Sequence, residues 1–184
     1  MMLTKAIHYA AAFHAGQVRK GTDIPYIVHP MEACAIAATM TADAEMLSAA
    51  VLHDVVEDCG VTISMIETYF SPRVAKLVGA QSEKKEADEA GSWLRRKQHT
   101  IDWLKTSATK EEKMLTLADK LSNMRAISRD YRQAGDSLWA RFNQKDKGEH
   151  AKYYRGIRDA LSELSEYEAF GELSALVDSV FSDC

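Results

Sequence analysis

Four residues in a short stretch of this 184-residue chain are spaced for metal chemistry: His53, Asp54, Glu57 and Asp58, in LSAAVLHDVVED at residues 47–58. Read as a helix, the stretch puts His53 and Glu57 one turn apart, and Asp54 and Asp58 likewise. All four side chains then fall within about 140° of the circumference. Val, Leu and Ala fill most of the remainder, which predicts a helix in the middle of a domain, where an unpaired carboxylate costs several kcal/mol. A divalent metal ion is the economical compensation, because imidazole nitrogen with carboxylate oxygen is the ligand set of manganese, iron and zinc sites. The alternative is a helix end at which the HD and ED pairs simply meet water.

Two more residues could join such a site. His29 directly precedes Pro30, which suits the first turn of a helix, so the imidazole sits at a helix mouth with a fixed approach to the interior. Taken alone it reads first as a cap on that helix through a ring hydrogen bond, and as a ligand only in company. Asp119 lies in MLTLADKLSNMRAI, where Met114, Leu117, Leu121 and Met124 make one apolar face. Asp119 and Asn123, one turn apart, fall between Leu115 and Ala126 on another face, so Asp119 looks inward, toward a metal or toward a buried Arg or backbone donors. Arg19 and Lys20 form a pair of adjacent cations beside Gly21 in the loop QVRKGTDIPYIVHP. Lys84, Lys85, Arg95, Arg96 and Lys97 read as a solvated face rather than a phosphate site.

The elements that must position these residues are helical throughout. A first helix spans residues 3–15 from a Thr4 cap, with Gly16 placed to end it in the left-handed conformation. A second runs from Pro30 to Met40, and Asp43 can cap the central one. Thr62 caps a short helix ending near Phe70, and Ser71-Pro72 starts another through Val78. Residues 82–91 are polar and read as a surface segment, with Trp93 opening the next helix. Thr109 and Glu112 form a capping box in front of a helix to Ile127. LWARFNQ and KYYRGIRDALSEL read as helical, and residues 161–181 as an acidic amphipathic tail. Val61–Ile63 is too short to make a sheet. The fold class expected is therefore all-α, with the HD helix buried at its centre.

Length and composition bound the rest. The chain suits one domain over residues 1–184, able to bury a core without disulfides. A net charge of -4, with 46% hydrophobic and 27% charged residues, disfavours nucleic acid as a partner. Cys34, Cys59 and Cys184 follow no metal spacing and fit a reducing cytoplasm. No signal-peptide layout and no apolar run of about 20 residues appears, so no membrane is expected. Glycine-rich phosphate loops, a Ser-His-Asp layout and CxxC are all missing.

Together His29, His53, Asp54 and Asp119 spell H…HD…D across three helices or their ends. The pattern resembles the HD superfamily of metal-dependent phosphohydrolases. The wording AAFHAGQVRKGTDIPYIVHP, then AAVLHDVVEDCGVT, then LADKLSNMRAI, is similar to the hydrolase domain of RelA/SpoT homologues, specifically the stand-alone bacterial small alarmone hydrolases, over about residues 3–160. The resemblance implies that His29, His53, Asp54 and Asp119 hold one metal ion, usually Mn²⁺. It implies that Glu57 and Asp58 activate the attacking water, that Arg19 and Lys20 contact a purine nucleotide, that Asn123 lies near the ribose, and that Tyr153 or Tyr154 lines the base pocket. Cys59 stands where a threonine is usual, and Ala126 where longer relatives carry Thr. The expected activity is removal of the 3′-diphosphate of (p)ppGpp, and the length leaves no room for a synthetase region. Open alternatives are the same chemistry on (p)ppApp, NADPH or a nucleoside 5′-phosphate, or a non-catalytic nucleotide-binding regulatory domain.

Overall fold

A computed structural model describes residues 1–82 and 92–184. Helices make up the architecture: α1 (Met2–Phe13), α2 (Val28–Ala37), α3 (Ala44–Leu52), α4 (Val55–Asp58), α5 (Ile63–Tyr69), α6 (Pro72–Gln81), α7 (Ser92–Thr106), α8 (Lys110–Ala134), α9 (Lys147–Ala160) and α10 (Glu168–Val180). Two 3₁₀ segments, Gly135–Arg141 and Ser162–Leu164, join the last ones. Among the described residues the only β pairing is an isolated bridge between Val18 and Pro25. The all-α expectation holds. No helix among them is long and apolar enough to cross a membrane. The polar run at 82–91 falls, beyond Ser82, outside the described residues.

The chain divides into two compact units, Met1–Glu83 with Lys110–Ser122, and Lys84–Thr109 with Asn123–Cys184. In the first, α3 packs against α1, α2 and α6, and α5 packs against α6. Helix α3 is buried along most of its length, with Met46, Ser48, Ala49, Ala50, Val51 and Leu52 all inside. Each fully buried aliphatic side chain contributes about 1.5–3 kcal/mol, so this one helix anchors the unit. Its start is set by Asp43, whose Oδ1 accepts from the Glu45 and Met46 backbone N–H groups at 2.8 and 3.0 Å. Thr62 and Ser71 cap α5 and α6 in the same way. Each such cap stabilises its helix by about 1 kcal/mol. The N-terminal half of α8 is tied to α6: Thr116 Oγ1 donates to Gln81 Oε1 at 3.1 Å, and Gln81 Nε2 donates to the Glu112 carbonyl at 3.2 Å.

In the second unit α9 packs against α7 and α10. Gly156 lets α9 approach α7 closely, since a Cβ there would lie 2.6 Å from Ile101 Cδ1. Trp139 stacks on His150 and Phe181, with ring centroids 5.0 and 5.7 Å apart, and forms an aromatic core with them.

Several expected boundaries move. Helix α1 ends at Phe13, and Gly16 takes the left-handed conformation at φ +80° as anticipated. Helix α2 begins two residues before Pro30, because a proline is accommodated anywhere in a first turn whose N–H groups lack helical partners. Helix α8 runs past Ile127 to Ala134, since nothing in SRDYRQA breaks a helix before Gly135, at φ +54°. LWARFNQ is not an α-helix: its first part lies in the 3₁₀ segment ending at Arg141, in a connection too short to propagate one. The largest correction concerns LSAAVLHDVVED. It is not one helix but two, α3 and α4, with His53 and Asp54 at the break between them.

Candidate metal centre

That break has a local cause. In an unbroken helix the Ala50 carbonyl would accept from the Asp54 N–H, but it accepts from the His53 ring, whose Nδ1 lies 2.8 Å away. The side chain thus competes with the backbone pattern and ends α3 at Leu52. With its Nδ1–H so engaged, the neutral imidazole presents a lone pair at Nε2.

His29 enters from the first turn of α2 and Asp119 from α8, and both meet His53 and Asp54 within the first unit. His29 Nε2 lies 3.2 Å from Asp119 Oδ1 and 3.5 Å from Asp54 Oδ2. His53 Nε2 lies 3.0 Å from Asp54 Oδ2 and 3.8 Å from Asp119 Oδ1. An ion held about 2.1 Å from each ligand sets neighbouring donor atoms about 3.0–3.4 Å apart and opposite ones about 4.2 Å apart. The four distances run from 3.0 to 3.8 Å, between the neighbouring and the opposite separations, and one ligand atom each from His29, His53 and Asp119 all lie within 4.8 Å of one another. His53 Nε2 is buried yet makes no hydrogen bond among the described residues. A buried nitrogen aimed at two carboxylates without a hydrogen bond is suited to sharing a cation with them, so the residues fit a divalent metal.

The electrostatics agree. Burial would raise the carboxyl of Asp54, but the His53 and His29 rings hold it well below the ordinary carboxylate range. Burial opposes ionisation of Asp119 as well, and Lys120 Nζ, 2.7 Å from Oδ2, with the two histidines keeps it low. Burial pulls the His53 ring down, but Asp54 and Asp119 outweigh it and push the ring up to about 9. Asp54 and Asp119 together favour positive charge at this point, which a proton on His53 or a divalent cation would supply.

Sequence reasoning missed Tyr26. Its hydroxyl donates to Asp54 Oδ2 at 2.7 Å, and burial, then the Asp54 charge, push the phenol far above its ordinary range, so it stays a donor. Its position in the same loop as Arg19, three residues before His29, was the one available signal. That loop is a small hairpin, closed by Arg19 N–H to Ile24 O at 2.8 Å and Tyr26 N–H to Gln17 O at 2.9 Å. The Arg19 guanidinium sits 5.7 Å from the centroid of the Tyr26 ring, and Lys20 is exposed. Tyr26 therefore joins the cationic loop to the cluster of His29, His53, Asp54 and Asp119.

Glu57 and Asp58 stand on α4, directly after the HD break; Glu57 is half-buried and Asp58 exposed. Cys59, in the position where a threonine is usual, has its Sγ 3.3 Å from His14 Nδ1. Asn123, half-buried on α8, and both tyrosines belong to the second unit. Tyr153 and Tyr154 are buried on α9, with Tyr154 stacked on Phe181 at 6.0 Å and Lys97 Nζ 5.2 Å from the Tyr153 ring centroid.

Residues 6–147 match the HD domain family. The chain is 46% identical to the guanosine-3′,5′-bis(diphosphate) 3′-pyrophosphohydrolase of Vibrio cholerae over 70 residues, 38% of this chain and 10% of that much longer protein. It is 30% identical over 131 residues to the Danio rerio guanosine-3′,5′-bis(diphosphate) 3′-pyrophosphohydrolase MESH1, covering 70% of each. A solved structure of a metazoan ortholog of SpoT that hydrolyzes ppGpp superimposes with a TM-score of 0.74 at 25% identity, over 98% of this chain and 94% of that one. His29, His53, Asp54 and Asp119 all lie inside the matched span, and the chain belongs to the HD domain family.

Proposed function

We propose that the chain hydrolyses the 3′-diphosphate of guanosine 3′,5′-bis(diphosphate) and of its 5′-triphosphate form, releasing pyrophosphate and leaving GDP or GTP, with Mn²⁺ as the metal. The observation that carries this reading is the cluster of His29, His53, Asp54 and Asp119, three of them buried and Asp54 half-buried, linked through Tyr26 to the loop bearing Arg19. The choice of substrate leans on what the relatives in Vibrio cholerae and Danio rerio are named for.

When bound, the cation would supply Lewis acidity, neutralising phosphate charge and acidifying a water. Glu57 and Asp58, on the helix that begins at the HD break, orient that water and take its proton. The water oxygen bonds to the phosphorus that carries the ribose 3′-oxygen, the bond from that phosphorus to the 3′-oxygen breaks, and the ribose oxygen takes up a proton as pyrophosphate leaves. Arg19, backed by the Tyr26 ring, offers a planar cation to the purine or its phosphates, and exposed Lys20 offers a point charge. Asn123 and one of Tyr153 and Tyr154 are assigned to the ribose and base on the family resemblance.

The test is a side-by-side turnover assay with Mn²⁺ on ppGpp, pppApp, NADPH and deoxynucleoside 5′-monophosphates. The expected result is a preference for ppGpp, with GDP and pyrophosphate in equal amounts. A preference for a 5′-monophosphate would overturn the substrate, and a protein that binds nucleotide without turning any of them over would make it a regulatory domain.

A further inference from the structure

We propose that Ser122 and Glu32 form a positioning relay that fixes the His29 ring for metal binding. His29 Nδ1 lies 2.8 Å from Ser122 Oγ, and Ser122 Oγ donates to Glu32 Oε2, also at 2.8 Å. His29 and Ser122 are both buried, 3% and 1% exposed, so neither has water as a ready substitute partner. The direction of the chain follows from chemistry. As a carboxylate Glu32 can only accept, so the single hydroxyl proton of Ser122 goes to it. The oxygen of Ser122 is then left to accept, and His29 Nδ1–H must be the donor. That fixes the lone pair at His29 Nε2, the atom 3.2 Å from Asp119 Oδ1 and 3.5 Å from Asp54 Oδ2.

The placement is economical. Glu32 stands three residues after His29 on α2, and Ser122 three residues after Asp119 on α8, so one turn of each helix carries a ligand and one member of the relay. Partners that hold the second nitrogen of a ligating imidazole set its tautomer and orientation and raise its basicity, and their loss typically weakens metal binding 10- to 100-fold. His53 uses the Ala50 carbonyl for the same purpose, whereas His29 draws on side chains, which makes its setting open to substitution.

This inference rests on His29 being a metal ligand, so the experiment tests the two separately. Mn²⁺ dissociation constants are measured by chelator competition on the full chain for wild type, His29→Ala, Ser122→Ala, Ser122→Thr and Glu32→Gln, with unfolding midpoints of the metal-free proteins alongside. Ser122→Ala is expected to bind Mn²⁺ about 10- to 100-fold more weakly, and Ser122→Thr, which keeps the hydroxyl, to stay within about threefold of wild type. Glu32→Gln, whose amide can donate as well as accept, should lose roughly fivefold or more while the metal-free midpoint stays put. If His29→Ala binds Mn²⁺ like wild type, the ligand assignment itself fails. If His29→Ala loses the ion while Ser122→Ala and Glu32→Gln retain wild-type affinity, the relay is overturned. Should Ser122→Ala fail to fold, Glu32→Gln, half-buried and of equal size, decides alone.

Discussion

Raising the pH from 6 to 8 should tighten metal binding and loosen the metal-free fold at once, and His53 is the reason. In the metal-free protein Asp54 and Asp119 lift the ring to about 9 against the pull of burial, from an ordinary value of 6.5. Below pH 9 the ring therefore carries a proton that a cation must displace, because only the neutral imidazole can ligate. One proton leaves per ion bound, so the apparent Mn²⁺ dissociation constant should fall about tenfold per pH unit, or about 100-fold between pH 6 and pH 8. The metal-free protein behaves in the opposite sense. A group whose folded value lies above its unfolded one stabilises fully below the unfolded value, here 6.5, and loses that contribution as pH rises through about 9. The lift corresponds to about 3 kcal/mol at most, spread over that window. Chelator competition across the pH range gives the first quantity. Calorimetry in buffers of different ionisation enthalpy counts the protons, and denaturant unfolding of the metal-free protein gives the second. A dissociation constant that is flat from pH 6 to 8, with no proton released, would mean that His53 is neutral before the ion arrives and that the electrostatic reasoning is wrong.

Glu57→Gln and Asp58→Asn should retain near-stoichiometric Mn²⁺ while kcat falls by roughly 10²–10⁴, the usual scale of lost general acid-base help; loss of the ion from both, measured by metal analysis, would place the pair among the ligands. Tyr26→Phe keeps the ring under Arg19 but removes the 2.7 Å donor to Asp54. It should lower the stability of the metal-free protein by about 1.5–3 kcal/mol in denaturant unfolding, the scale of a hydrogen bond to a charged group, while KM for the nucleotide changes little.

Local chemistry made most of the helices legible. Asp43, Thr62 and Ser71 announce α3, α5 and α6 because a side-chain oxygen just ahead of a helix has a fixed task, satisfying N–H groups that the helix itself cannot. His29, His53, Asp54 and Asp119 were readable as one constellation because each is costly to bury alone, and together they are not. The division of LSAAVLHDVVED into two helices was not legible. Apolar periodicity reports which face is inside and is blind to a ring nitrogen taking a backbone carbonyl, as His53 does at Ala50. Contacts across long sequence separations were equally hidden. Nothing in the spacing ties Tyr26 to Asp54 or Ser122 to Glu32, since either side chain could have met water had the helices packed differently.

The most direct measurement is pyrophosphate release from ppGpp before chelation, after it, and after Mn²⁺ is restored, on wild type and Asp54→Ala side by side. Wild type should lose turnover with the metal and regain it with Mn²⁺ at one ion per chain. Asp54→Ala, folded but short of a ligand 3.0 Å from His53 Nε2, should neither hold the ion nor recover. Turnover of ppGpp that survives thorough chelation, or an Asp54→Ala protein that binds Mn²⁺ and hydrolyses ppGpp at the wild-type rate, would mean that the cluster is not the seat of a metal-dependent hydrolysis.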